Sequence, residues 1–112
     1  PAAAWLILAC GGGVVETPEC VESLRAHWPV VWIDRHPDDV VAFLEGDAGR
    51  LERMGQDKPR AVYNRRLPRY QETADFRFPI PRGETDIRAM GQLLARFVHR
   101  VMAPPRPFSF GA

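Results

Sequence analysis

Lysine is almost absent from this chain of 112 residues: Lys58 is the only one, so arginine carries nearly all of the positive charge. The glycine run at 11–13 is followed by no lysine, which rules it out as a phosphate-binding GxxxxGK[ST] loop, and no other stretch has that pattern. Cysteine is scarce as well. Cys10 and Cys20 are the only two and lack CxxC spacing, which argues against a disulfide framework or a zinc site. His27, His36 and His99 fall in separate stretches with no HxxxH or HExxH pattern, so no metal site is expected. Ser23 and Ser109 have no nucleophile motif around them. The formal charge of +1 offers no electrostatic basis for binding nucleic acid or a membrane surface. No apolar run reaches the ~20 residues of a membrane span, and the first residues lack the basic flank of a signal peptide. The expected setting is reducing and intracellular, cytoplasmic or nuclear.

What is present reads as one small globular domain or part of one, with 46% hydrophobic and 26% charged residues. Its eleven prolines mark boundaries between elements and form no low-complexity run. Ala4 to Cys10 has the continuous apolar character of a strand buried on both faces of a parallel sheet. In "ETPECVESLRAHW", Thr17 suits an N-cap and Pro18 the first turn, Glu19 and Glu22 suit the positive end of a helix, and Val21, Leu24 and Trp28 share a face. Pro29 to Arg35 predicts a second buried strand, and Pro37 with Asp38 and Asp39 opens a short helix. Gly46 to Ala61, rich in glycine and charge, predicts a mobile loop.

Tyr63, Leu67, Tyr70 and Ala74 then mark a helix that Pro68 kinks or interrupts. "DFRFPIP" predicts a third strand. Thr85 can cap a last helix that buries Ile87, Met90, Leu94, Phe97 and Val101. Residues 104–112 follow as a linker or the start of another domain. The alternation of strand and helix predicts a parallel sheet with helices on its faces. Three strands make a thin sheet, as in the second half of a doubly wound domain without its first half. An open strand edge in such a sheet favours self-association or pairing with other domains.

Three stretches can carry chemistry. Gly11, Gly12 and Gly13 stand at a strand end, where backbone N–H groups can meet an anion, or where a tight turn needs positive φ; the pattern leaves both open. Arg65, Arg66 and Arg69 can bind a carboxylate or phosphate in bidentate fashion, or else pair with Glu72 or Asp75. Arg50, Arg53, Lys58 and Arg60 can close over a phosphorylated ligand, or simply solvate a loop. Cys10 reads as an inert buried thiol, and Asp34, Asp38 and Asp39 as helix-capping carboxylates.

Together "ILACGGGVVETPE", "PVVWIDRHPDDVVAFLEGDAGR" and "RRLPRYQETADFRF" resemble the C-terminal half of a shikimate kinase over about residues 5 to 102. The helix signature R-x-P-x-Y stands here as Arg66-Leu67-Pro68-Arg69-Tyr70, followed by Ala74-Asp75. The wording "ILACGGGVVET" is most similar to the kinase-like domain of fungal multidomain proteins, the pentafunctional AROM polypeptides and the non-enzymatic quinate repressors. The resemblance implies a P-loop-kinase-like α/β fold over residues 1–103, without the N-terminal half that carries the phosphate-binding loop. It implies that Gly11, Gly12 and Gly13 let the shikimate ring lie against the main chain and that Arg66 holds its carboxylate. It puts Arg50 near the lid arginine that approaches the transferred phosphate, although here leucine follows where the family has proline.

Phosphoryl transfer depends on the phosphate-binding parts, so kinase activity has no physical basis in these 112 residues alone. ATP and magnesium are expected only together with the family's N-terminal half. The degraded lid favours a non-catalytic, quinate-repressor-type domain that senses shikimate or quinate. The alternative is part of an active, AROM-type shikimate kinase domain.

Overall fold

The structure, a computed structural model, describes residues 7–27, 29–53, 55 and 57–102. Among these the class is α/β, as expected: a parallel pair of strands with helices around it. Strand β1 (Val31–Asp34) pairs with β2 (Phe76–Pro79) in the register Val31 to Phe76 through Asp34 to Pro79. A parallel pair cannot be closed by a tight turn and needs a long crossover. Helices α2 (Pro37–Glu45), α3 (Ala48–Arg53) and α4 (Pro59–Thr73) supply it. The Asp75 carboxylate accepts from Val30 N–H at 2.8 Å, and the Val30 carbonyl accepts from the N–H groups of Asp75 and Phe76, which aligns the entries of both strands.

Strand alternation puts Phe76 and Phe78 on one face of the pair and Arg77, beside Trp32, on the other. Helix α5 (Ile87–Met102) covers the phenylalanine face, with the Phe97 ring 5.3 Å from Phe78 and 6.3 Å from Phe76. The other face meets α4, where Tyr70 stacks on Trp32 at 6.1 Å. Buried apolar side chains among the described residues are Val15, Val62, Tyr63 and Phe78, a small core with Val62 the most enclosed at 2% exposure.

Several expectations are corrected. Of the strand expected over Ala4 to Cys10, residues 4–6 lie outside the described residues. Residues 7–10 form no strand, and Ile7 and Leu8 are 74% and 72% exposed. The described sheet therefore has two strands where three were expected. A parallel strand owes its stability to a neighbour, and among the described residues β1 pairs with β2 alone. Cys10 is exposed, not buried. The segment read as a loop, 46–61, contains α3 and the start of α4, because Pro59 at the first turn begins a helix.

Helix α4 runs uninterrupted through Pro68. Helix α1 (Pro18–Ala26) begins where expected, but Thr17 makes no side-chain capping bond. Trp28, expected on its apolar face, and the linker at 104–112 lie outside the described residues. Asp86 caps α5 in place of Thr85, accepting from Ala89 N–H at 2.9 Å, and Ile87 is 85% exposed. The cap of α2 is the His36 ring, which accepts from Asp38 N–H at 3.1 Å. The carboxylates read as caps tie segments together instead. Asp34 pairs with Arg77, Asp38 with Arg60 and Arg82, and Asp39 accepts from Gly83 N–H.

Candidate functional site

The glycine run does not make the positive-φ turn that its composition allows. Gly11 is extended at φ −65° and ψ 154°, and residues Gly12–Glu16 coil into one short 3-10 helix. Positive φ is confined, among the described residues, to Gly55 and Gly83. The requirement for glycine at 12 and 13 is close approach. A Cβ on Gly12 would lie 2.8 Å from the Tyr70 hydroxyl and 3.2 Å from Arg66 Nη1, and one on Gly13 would lie 3.0 Å from Arg66 Nη2. A Cβ on Gly11 would meet nothing within 4 Å.

Helix α4 delivers the other half of the site. Its buried face, Val62 and Tyr63, docks it against the core, and one or two turns later it carries Arg65, Arg66 and Tyr70 to the glycines. The Tyr70 hydroxyl donates to the Gly12 carbonyl at 2.7 Å. Its phenol is pushed above its ordinary pKa, chiefly by burial. The Glu16 carboxylate accepts from the Nε–H of both arginines, from Arg65 at Oε1 and from Arg66 at Oε2, the latter at 3.1 Å. Arg65 also reaches Asp57 through Nη1, at 3.1 Å. The pairing with Glu72 or Asp75 weighed from sequence is thus replaced by one with a residue about fifty positions upstream. Arg65 chiefly, with Arg66, holds the Glu16 carboxyl below its ordinary value near 4.5, against the opposing effect of partial burial.

Between the glycine turn, α2, α3 and α4 lies a cavity of about 310 Å³, lined by Gly11, Gly12, Gly13, Glu16, Leu44, Arg50, Arg53, Val62, Arg65 and Arg66. The five residues that the family resemblance assigned to substrate or phosphate contact, Gly11, Gly12, Gly13, Arg50 and Arg66, all line it, although they come from three separate segments. Arg50 lies at this wall while engaged elsewhere: its Nε donates to Asp47 at 3.2 Å and its guanidinium lies 5.3 Å from the Phe43 ring. Arg69, Lys58 and Arg60 do not line the cavity. Glu16 and Tyr70 were not assigned roles from sequence. Tyr70 was visible as the last residue of R-x-P-x-Y; Glu16 left no local signal.

Four arginines and one carboxylate give this cavity an excess of positive charge, and its volume is at the lower end of the ~300–1,000 Å³ of ligand pockets. A larger cleft of about 710 Å³ flanks the sheet; within it Asp34 pairs with Arg77, and Arg35 donates to the Glu84 carbonyl. Among the described residues no group of three or more His, Cys, Asp or Glu could hold a metal ion, and no helix is long and apolar enough to cross a membrane.

The bridge at Glu16 has a pH signature. Its folded pKa is lowered, so its contribution to stability is complete above the ordinary value near 4.5 and disappears as pH falls through the lowered value. Solvent screening around the Arg65 side chain, 44% exposed, limits it to roughly 0.2–1 kcal/mol. Thermal melts of wild type and Glu16→Gln should differ at neutral pH and converge as the pH falls below the lowered value of the Glu16 carboxyl.

The family model described as shikimate kinase matches residues 2–98, so the chain belongs to the shikimate kinase family. It is 36% identical over 74 residues to a shikimate kinase of Cupriavidus pinatubonensis, covering 63% of this chain and 38% of that protein. It is 31% identical over 105 residues to one of Paracidovorax citrulli, covering 90% of this chain and 57% of that protein. It is also 26% identical over 98 residues to the pentafunctional AROM polypeptide of Saccharomyces cerevisiae, covering 82% of this chain and 6% of that protein. The chain thus spans about two to three fifths of the length of the shikimate kinases it matches. No solved structure matches it. These relatives are described as enzymes, and the expectation of a quinate-repressor-type regulator draws no support from them.

Proposed function

We propose that this chain forms the acid-binding side of a shikimate kinase domain, in which the cavity beside the glycine turn receives shikimate. The ring lies over the Gly11 to Gly13 backbone, where the absence of side chains permits close approach, and the carboxylate meets the Arg66 guanidinium. Arg50 stands on the side of the cavity that a transferred phosphate would approach. The observation carrying this reading is that Gly11, Gly12, Gly13, Arg50 and Arg66, distant in sequence, line one arginine-rich cavity. Membership of the shikimate kinase family and relatives so named support the choice of acid.

The residues of this chain do not fit a nucleotide's phosphates, because GxxxxGK[ST] is not among them. The proposal therefore concerns binding and orientation of the acid, with no step derived through ATP. Calorimetric titration with shikimate and with its uncharged methyl ester tests it. Shikimate should bind, and the ester about ten-fold more weakly or worse, since the ester cannot accept a charge-assisted pair. Equal binding of the two, or binding of neither, overturns the reading.

A further inference from the structure

We infer that Glu16 is a positioning residue of this site: its carboxylate bridges Arg65 and Arg66 through their Nε–H groups and so fixes the terminal nitrogens of Arg66 against the glycine backbone. The ligand half of the inference rests on the proposed binding of shikimate; the bridge itself does not.

Neighbouring residues of a helix point in different directions and do not face each other. Arg65 and Arg66 are such neighbours on α4, yet both reach one carboxylate that lies on the 3-10 turn after the glycines. Each carboxylate oxygen serves one arginine: Oε1 takes Arg65 and Oε2 takes Arg66, at 3.1 Å. Arg65 also donates to Asp57 through Nη1, so its guanidinium is held at two points. Because Glu16 engages Arg66 at Nε, the other end of that guanidinium is directed to Gly12 and Gly13, within 3.2 and 3.0 Å of where their Cβ atoms would stand. Arg66 and Glu16 are both largely covered, with side chains 20% and 25% exposed, which suits a pre-set geometry more than a solvated pair. An arginine held in this way presents its planar fork without first losing side-chain freedom.

The contrary role is an internal competitor, a carboxylate that occupies the ligand's seat and must be displaced. Glu16→Gln separates the two, since the amide keeps the size but has neither the charge nor a second acceptor oxygen, so one of the two arginine N–H groups would face an NH2 donor in the present arrangement. With Glu16 as a positioning residue, shikimate affinity measured by calorimetry falls about ten-fold in Glu16→Gln. The Arg66 Nε–H signal in ¹⁵N-edited NMR of the ligand-free chain shifts and exchanges faster with solvent. The melting temperature falls by no more than about 8 °C, the scale of one exposed pair.

Unchanged or tighter shikimate binding in Glu16→Gln overturns the inference, as does an Arg66 Nε–H signal identical to wild type. If the wild-type chain binds no shikimate, the shikimate reading fails by itself. The NMR comparison still decides the bridge: loss of the protected Arg66 signal upholds it, and an unaltered signal refutes it.

Discussion

Arg66→Ala should weaken shikimate binding ten-fold or more while leaving the chain folded. A hydrogen bond to a charged group contributes about 1.5–3 kcal/mol, and each 1.4 kcal/mol is ten-fold in affinity. Arg66 is the arginine whose guanidinium lies against Gly12 and Gly13, so removing it takes away the cation next to the glycine backbone while Arg50, Arg53 and Arg65 remain on the lining. Its pair with Glu16 is also lost, but Arg65 keeps its own contact with that carboxylate. Arg66→Lys sharpens the test. Lysine restores charge without the planar fork, so it should recover little of the affinity where bidentate recognition matters. Calorimetry with shikimate on the three proteins reads the result. Equal affinity in wild type and Arg66→Ala would remove Arg66 from the site and leave it a partner of Glu16 alone.

The glycines should behave unequally when each is replaced by alanine. Gly12→Ala should be the most damaging, because its Cβ would meet the Tyr70 hydroxyl at 2.8 Å, inside any ordinary contact. Tyr70 has little room to retreat, since its hydroxyl donates to the Gly12 carbonyl and its ring stacks on Trp32. Overpacking of this kind costs about 1–3 kcal/mol, which for a chain of this size lowers the melting temperature by roughly 4–8 °C per kcal/mol. Gly13→Ala should cost less, because Nη2 of Arg66 at 3.0 Å is the end of a long side chain that can shift. Gly11→Ala should leave stability nearly unchanged, as its φ of −65° suits alanine and no atom lies within 4 Å. Its effect should instead appear in shikimate affinity, where a new methyl group faces the cavity. A series in which all three variants melt alike would show that close approach is not what the glycines provide.

Much of the local structure was legible before any coordinates. Prolines at first-turn positions and apolar residues at helical spacing marked α1, α2, α4 and α5, and alternation marked β2, because these signals lie within a few residues of one another. Gly11, Gly12, Gly13, Arg50 and Arg66 were likewise nameable, through their residue types and a family signature. Other features depend on distant partners. Ile7 to Cys10 has the composition of a buried strand, yet no described strand pairs with it, and a strand without a partner is only an apolar segment. From sequence the glycines could serve either a turn needing positive φ or close approach to the main chain. Tertiary packing decided that they make room for Tyr70 and Arg66, from a helix more than fifty residues later. Glu16 illustrates the division best. In sequence it is one acid before a helix, and only when α4 docks beside the 3-10 turn does its carboxylate meet two guanidiniums, because an ion pair is made by distance in space and leaves no trace in sequence spacing.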